Sequence, residues 1–457
     1  MSQRIAVIGG GSFQWVPKLV VDIANTPSLH DAELVFEDLN PAPLPRMAEW
    51  VDHVARSRGI PLTSRTTTSL ADALDGADWV VVTISTGGFA SMRADLEIPA
   101  RYGIVQSVGD SVGAGGITRA LRNIPVFLGL AREMQARCPD AWMLNITNPM
   151  TTICRAVTRE TPIRTVGLCH EIAVTQFFLS LLLDADFRDL RFEIAGVNHL
   201  PIITGFTVGG DDGFERLRAV LDEPGRAGER LPVDLPDAME ITKRSPGDHW
   251  TRGDLIAVNR LKFELFSRFG ALPAAGDRHL AEFFPGFLTE ASEWGRAWGV
   301  DITTIGDRER WQSRHRAELD AMFAAPEISR MPSGEIVAAC IDSVIRNHPR
   351  DLPLNLPNAG QCPDLPEDVV VESICTIDGQ GVRGRDHAVL PPVLAEQVRR
   401  VSAAQELTVE AAVNGDRDTV LAAMLADPLA GRIDFQDLGR MTDELLAATA
   451  AWLPQFA

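Results

Sequence analysis

The chain has 457 residues, 45% of them hydrophobic, and a formal charge of −19. That length accommodates two lobes around a large core, and the acidity excludes nucleic acid and anionic membrane as partners, since both require a positive surface. No run is long enough to span a bilayer, and Met1-Ser2-Gln3-Arg4 lacks signal-peptide character. The six cysteines contain no CxxC pair and suit free thiols, so the expected location is the cytoplasm.

Arg4 to Ile8 is a β-branched apolar run of the kind found in buried parallel strands. Gly9-Gly10-Gly11-Ser12 follows, and then a helical pattern from Val16 to Ala24. Strand, glycine turn and helix in that order form a dinucleotide site at the first βα junction, where the backbone approaches a pyrophosphate at a helix N-terminus. Gly9 and Gly11 fit the first two fingerprint positions, but Gln14 stands at the third. The next strand, Ala32 to Phe36, ends in Glu37-Asp38. An acid there accepts hydrogen bonds from a ribose diol and repels a 2′-phosphate, which favours NAD over NADP.

Asp78 to Ser85 reads as a third buried strand, Ala141 to Asn148, before Pro149, as a fourth and Ile163 to Leu168 as a fifth. Each ends in polar or glycine residues, at the sheet edge where open α/β folds bind ligands. Gly9, Gly11, Ser12, Phe13, Asp38, Thr83, Ser85 and Asn145 are therefore the candidate cofactor contacts. Gly109 to Gly116 reads as a glycine loop on the substrate side carrying one acid, Asp110, and a helix is expected from Ile117 to Met134.

Past this half stand Cys169-His170-Glu171 and, thirty positions on, Asn198-His199. A thiolate and an imidazole from separate segments make a partial metal site: too few ligands for structural zinc, with positions left for substrate and water. Cys169 and His199 are the candidate metal ligands.

After His199 the alternation of strand and helix stops. Gly209 to Pro246 is a polar excursion. Leu255–Phe269, Trp311–Met322 and Ser333–Asn347 have helical periodicity, Leu352–Asn358 and Val369–Glu372 read as strands, and from Leu390 the chain is nearly all helical. The fold class expected is α/β. A Rossmann-like, NAD-binding N-terminal domain over residues 1–200 precedes a mixed α+β, largely helical C-terminal domain over 201–457 that serves substrate binding and oligomerisation.

The motifs taken together resemble glycoside hydrolase family 4, the NAD- and metal-dependent glycosidases. The resemblance covers nearly the whole chain. It rests on Ile8 to Ser12, Met92-Arg93 with Ile98-Pro99, Gly109-Asp110-Ser111 with Gly113, Gly115 and Gly116, and Asn148-Pro149. Cys169-His170-Glu171, Asn198-His199, Gly276-Asp277-Arg278-His279 and Leu354 to Asn358 complete it.

The resemblance implies a redox-neutral hydrolysis. NAD takes a hydride from C3 of the sugar, a base removes the acidified C2 proton, and a divalent metal, with Mn2+ expected, stabilises the enolate. The aglycone is then eliminated, water adds, and the hydride returns. Carried over residue by residue, Cys169 and His199 match the metal ligands, Asn148 and Arg93 match sugar contacts, and Glu171 is a sugar-selecting residue. His170 becomes the proton donor, with Asp110 as a second candidate for proton transfer. Some members use a tyrosine as base in the segment matching Asp277 to Leu280. Here Tyr102 is the only tyrosine and lies far from it, so His279 or Asp277 must serve, His279 being preferred. A hydroxide on the metal is a further option.

The triplet Cys169-His170-Glu171 resembles members acting on unphosphorylated α-glucosides, whereas Gly276 to Phe287 resembles α-galactosidases and α-galacturonidases. An α-glucoside is the first expectation for the small carbohydrate substrate. By the same resemblance a homodimer or homotetramer is expected. The rival readings are an NAD-dependent 2-hydroxy-acid dehydrogenase, which would need no metal, and a binding protein for NAD or a sugar nucleotide.

Overall fold

The computed structural model describes residues 2–232, 249–331, 333–385 and 387–457. The first six strands, β1 (Arg4–Ile8), β2 (Glu33–Glu37), β3 (Thr63–Thr67), β4 (Trp79–Val82), β5 (Trp142–Asn145) and β6 (Arg164–Gly167), are parallel and lie side by side in the order 3-2-1-4-5-6. This is the doubly wound nucleotide-binding arrangement, and its order reverses between β1 and β4. The Rossmann-like expectation is met. The strand expected third is in fact fourth. β3, Thr-Ser-Arg-Thr-Thr, lies at the sheet edge and lacks the apolar run that identifies a buried strand.

Helices cover both faces. Among them α1 (Val16–Ala24), α2 (Leu44–Arg58) and α3 (Leu70–Leu74) serve the first half. They are followed by α4 (Gly88–Arg101), α5 (Gly113–Arg137), α6 (Met150–Glu160) and α7 (Glu171–Leu182). α1 has the bounds that its periodicity predicts. α5 begins four residues earlier than expected, so the second half of the supposed glycine loop is the helix's first turn.

Beyond α7, β7 (Leu190–Val197) and β8 (Leu200–Val208) form an antiparallel hairpin joined by the two residues Asn198-His199. β9 (Asp211–Asp212) leads into α8 (Gly213–Leu221), within the stretch read as an excursion, whose residues 233–246 lie outside the described residues. α9 (Arg252–Ala257) and α10 (Arg260–Phe269) follow, then β10 (Leu272–Pro273), which pairs with β8, and α11 (Asp277–Phe283). After α12 (Ile305–Ala324) and α13 (Val337–Ile345) the chain returns to the first sheet. β11 (Arg350–Pro357), β12 (Val370–Asp378) and β13 (Gly381–Gly384) extend it antiparallel beyond β6 to nine strands. A cut at residue 200 therefore does not separate two sheets, because the segment from 350 to 384 completes the N-terminal one. α14 (Pro392–Asn414), α15 (Arg417–Ala426) and α16 (Phe435–Thr449) form the helical C-terminus.

One continuous apolar core joins Val80, Met143 and Ala195 of the sheets to Val398, Leu438 and Leu445 of the C-terminal helices, so the two halves share their interior. Asp95 on α4 and Arg122 on α5 are buried there as a bidentate pair at 2.8 and 2.6 Å. None of the described helices is long and apolar enough to cross a membrane.

Candidate functional site

The C-terminal ends of β1, β2, β4, β5 and β6 lie along one edge of the parallel sheet. Gly9 adopts φ +87°, and a Cβ on it would come within 2.0 Å of the Thr83 carbonyl oxygen. A Cβ on Gly11 would come within 2.4 Å of Pro43 Cγ. The turn is thus closed to any side chain. Asp38 lies beside it, with Oδ2 accepting from the Gly11 N–H at 3.0 Å. Ser12 Oγ accepts from the Trp15 N–H, and Arg316 stacks 5.0 Å above the Phe13 ring. Thr83 and Ser85 reach this edge through backbone, Thr83 N–H bonding Ile8 O at 2.8 Å and Ser85 O accepting from Gly88. Asn145 differs: it is buried, and its amide closes a turn on the backbone of Thr147. Its side chain is committed to the protein rather than to a ligand.

His199 occupies the tip of the β7–β8 hairpin at φ +64°. A left-handed backbone costs a non-glycine residue about 1–3 kcal/mol, so an imidazole held there suggests a function worth that strain. Ser111 Oγ donates to Asp110 Oδ1 at 2.8 Å and sits 2.7 Å from His199 Nδ1. With its one proton given to Asp110, Ser111 accepts from Nδ1–H. The lone pair of His199 is then on Nε2, the tautomer a metal ligand requires.

His279, in the first turn of α11, packs against His199 with ring centroids 3.9 Å apart. Both imidazoles lie 3.9 Å from Asp110 Oδ1. The ligand atoms of Asp110, His199 and His279 all fall within 4.8 Å of one another, the one such cluster of three found among the described residues. Burial disfavours the Asp110 charge, but His279, His199, Arg119 and Arg308 hold its carboxyl well below the usual range. Burial and then the neighbouring His199 push His279 down to about 3, and its Nδ1 has no partner.

Cys169 follows β6 but is not part of that cluster. Burial, then the charges of Glu372 and Glu171, raise its thiol pKa, while the Asn198 side chain bonds toward the sulfur and favours the thiolate. Asn198 Nδ2 also donates to Glu372 Oε2 at 3.1 Å. Glu372 on β12 and Asn355 on β11 are register partners, both buried, beside Gly167. The Asn198–Glu372 contact thus runs from the hairpin turn to the returning strands beside β6. His199 links the two sets, as partner of Cys169 in the expected pair and as a member of the assembled cluster.

His170 caps α7, about 39% exposed, 6.0 Å from the Trp15 ring, with Nδ1 3.1 Å from Glu335 Oε1. Burial opposes its charge, yet Glu335 and Glu171 raise it to about 9. Glu171 accepts from the Gly276 N–H at 2.6 Å; burial opposes its charge too, but His279, His170 and His199 hold it down to about 2. Asn148 turns its carbonyl to Arg119 and Asn123, leaving its buried Oδ1 unpartnered. Arg93 is half-exposed on α4 and pairs with Glu97 and Glu309.

Asp277 accepts from the Leu261 and Lys262 N–H groups at 2.7 and 3.1 Å, one on each oxygen, and so anchors the N-terminus of α10. Burial raises its carboxyl to about 6. Sequence reasoning also passed over Glu282. This fully buried carboxyl accepts from the Val108 and Gly109 N–H groups at 2.8 Å each and so clamps the loop that carries Asp110. An acid inside the apolar run Leu280-Ala281-Glu282-Phe283 was the available signal.

Sheet, glycine turn and buried imidazole–carboxylate cluster together define a nucleotide-fold enzyme with a metal-competent centre. Profiles described as family 4 glycosyl hydrolase and family 4 glycosyl hydrolase C-terminal domain match residues 4–185 and 194–430. The chain belongs to that family of glycoside hydrolases. An α-galacturonidase of Thermoanaerobacterium saccharolyticum is 30% identical over 98% of this chain and 96% of its own length. An α-galactosidase of Bacillus subtilis is 28% identical over 99% of this chain and all of its own. Among solved structures, a 6-phospho-α-glucosidase from gut microorganisms in complex with NAD and Mn2+ shares the fold, with TM-score 0.79, 20% identity and full coverage of both chains.

Proposed function

We propose that this protein hydrolyses an unphosphorylated α-glycoside by a redox-neutral route using NAD and a divalent metal, Mn2+ being the ion that accompanies NAD in the structural relative. The observation that carries the reading is the convergence of Asp110, His199 and His279 in one partly buried cluster, with Asn198 of the same turn hydrogen-bonded to the Cys169 thiol. Gly9, Gly11, Ser12 and Phe13, with Asp38 beside them, stand at the C-terminal ends of β1 and β2, where a doubly wound sheet takes a dinucleotide. Cys169 and His199 fit a borderline-soft cation through sulfur and Nε2. When bound, NAD would take and return a hydride, and the metal would stabilise negative charge on the sugar's oxygens.

The chain's own groups divide the remaining work. His279 is neutral at physiological pH and has a free buried nitrogen, which suits removal of the C2 proton. His170 carries a proton, with Nδ1 held by Glu335, and delivers it to the departing glycosidic oxygen from Nε2. Asn148 Oδ1 accepts from a sugar hydroxyl, and Glu171, fixed by Gly276, sits beside the same imidazoles. Of the two named relatives the α-galacturonidase is the more similar, so the sugar we favour is an α-galacturonide rather than the α-glucoside expected from the Cys169 triplet.

Incubation with p-nitrophenyl α-galacturonide, α-galactoside and α-glucoside tests the reading. Nitrophenol release should require NAD and Mn2+ without net NADH formation. Release indifferent to NAD would sink it, and stoichiometric NADH would return the dehydrogenase alternative.

A further inference from the structure

Two guanidiniums face Asp110, and a third stands beside one of them. Arg119 on α5 gives Nε to the Asn148 carbonyl at 3.0 Å, and Arg308 on α12 gives Nη2 to the Val108 carbonyl at 2.5 Å. Arg278 on α11 gives Nη1 to Thr303 Oγ1 at 2.7 Å and lies over the Trp311 ring. Every one of these hydrogen bonds ends on a neutral oxygen. Among the described residues no carboxylate lies within 4 Å of any of the three, whereas most arginines of this chain are ion-paired. Arg308 Nε is buried and has no partner at all.

The nearby acids do not restore balance. Asp95 is committed to Arg122 through both oxygens. Glu282 spends one oxygen on two backbone amides, and burial raises it to about 8, so it is mostly neutral at physiological pH. Arg119 and Arg308 therefore face the Asp110 carboxylate, Arg278 stands beside Arg308, and none of the three has a carboxylate within ion-pair distance. Half-buried charges left uncompensated are costly, and a site that retains them is built for an anion that arrives with the ligand. The glycine turn offers its own amides and helix terminus for the dinucleotide phosphates at the ends of β1 and β2, so the excess at Asp110 is not needed for them.

We infer that Arg119, Arg278 and Arg308 form the specificity determinant for an acidic sugar, receiving the C6 carboxylate of the glycoside beside the Asp110–His199–His279 cluster. This rests on the proposed glycosidase reading and adds the residues that select the substrate. Arginine suits the task because its planar fork matches a carboxylate. A 6-phosphate offers the same anionic chemistry on a longer arm, and the experiment separates the two.

The NAD- and Mn2+-loaded enzyme and its Arg308→Gln, Arg308→Lys and Arg278→Gln variants are assayed on p-nitrophenyl α-galacturonide, α-galactoside and α-galactoside 6-phosphate. The wild type should prefer the uronide over the 6-phosphate. The kcat/KM ratio of uronide to galactoside should fall about 30-fold or more in both Gln variants, and Arg308→Lys should recover part of it. Free galacturonate should lose competitive affinity in parallel, while galactose should not. Equal losses on uronide and galactoside would overturn the inference and leave the glycosidase reading standing. So would a wild-type preference for the 6-phosphate. Cleavage of none of the three would instead count against the functional reading itself.

Discussion

Glu282 offers a quantitative test of how the Asp110 loop is held. Its carboxyl is fully buried, one oxygen receives two amides, the other has no partner, and burial raises its pKa to about 8. In the unfolded chain it titrates near 4.5. Between those values the folded protein holds a proton that the unfolded chain has released. Stability from this group is therefore complete below pH 4.5 and is lost as pH rises towards 8. Integrated from pH 6 to pH 8, the loss is about 2 kcal/mol. Glu282→Gln keeps an oxygen for the amides of Val108 and Gly109 but cannot ionise. It should lie within about 1 kcal/mol of wild type at pH 6 and gain about 2 kcal/mol on it by pH 8. Glu37, Glu372 and Asp277 also carry raised values, of about 7, 7 and 6, and steepen both profiles alike, so the difference isolates Glu282. Urea unfolding of both proteins at intervals from pH 5 to 8 measures it. Parallel profiles would refute the argument, and a variant that weakened with rising pH would reverse its sign.

Two further substitutions probe the cofactor turn and the core. Asp38→Ala should weaken NAD binding about tenfold and narrow the preference over NADP, read by fluorescence titration with NADH and NADPH; an unchanged ratio would remove Asp38 from the ribose site. Asp95→Asn leaves the Arg122 guanidinium buried without its anion. It should cost about 3–5 kcal/mol in urea unfolding, with a loss under 1 kcal/mol arguing that the pair is already hydrated.

Local chemistry was the legible part of this chain. β1, its glycine turn and α1 follow from a β-branched run, small residues and helical spacing, and α1 has its expected bounds. Gly113, Gly115 and Gly116, expected in a loop on the substrate side, pack instead against the protein itself. A Cβ on Gly116 would come within 2.5 Å of the Ser111 backbone, and one on Gly115 within 3.0 Å of Asp95 O and of Gln106. They pack the start of α5. The return of β11 to β13 to the first sheet was not legible, because antiparallel pairing across nearly two hundred residues leaves no periodic trace. The same limit applies to the site. His199 and Asp110 were identifiable singly, yet their meeting with His279 depends on α11 packing beneath a hairpin turn. The bonds from Asp277 to the first turn of α10 left no trace in the sequence either.

Under the proposed function, glycoside cleavage requires loss of the C2 proton to His279. The most direct test compares p-nitrophenyl α-galacturonide with its C2-deuterated form, using the NAD- and Mn2+-loaded wild type and the His279→Gln variant. The account predicts slower turnover of the deuterated substrate by the wild type. It also predicts a variant that still binds Mn2+ but loses about 10²–10⁴-fold in kcat. Equal rates for the two substrates, together with a variant of undiminished kcat, would contradict it.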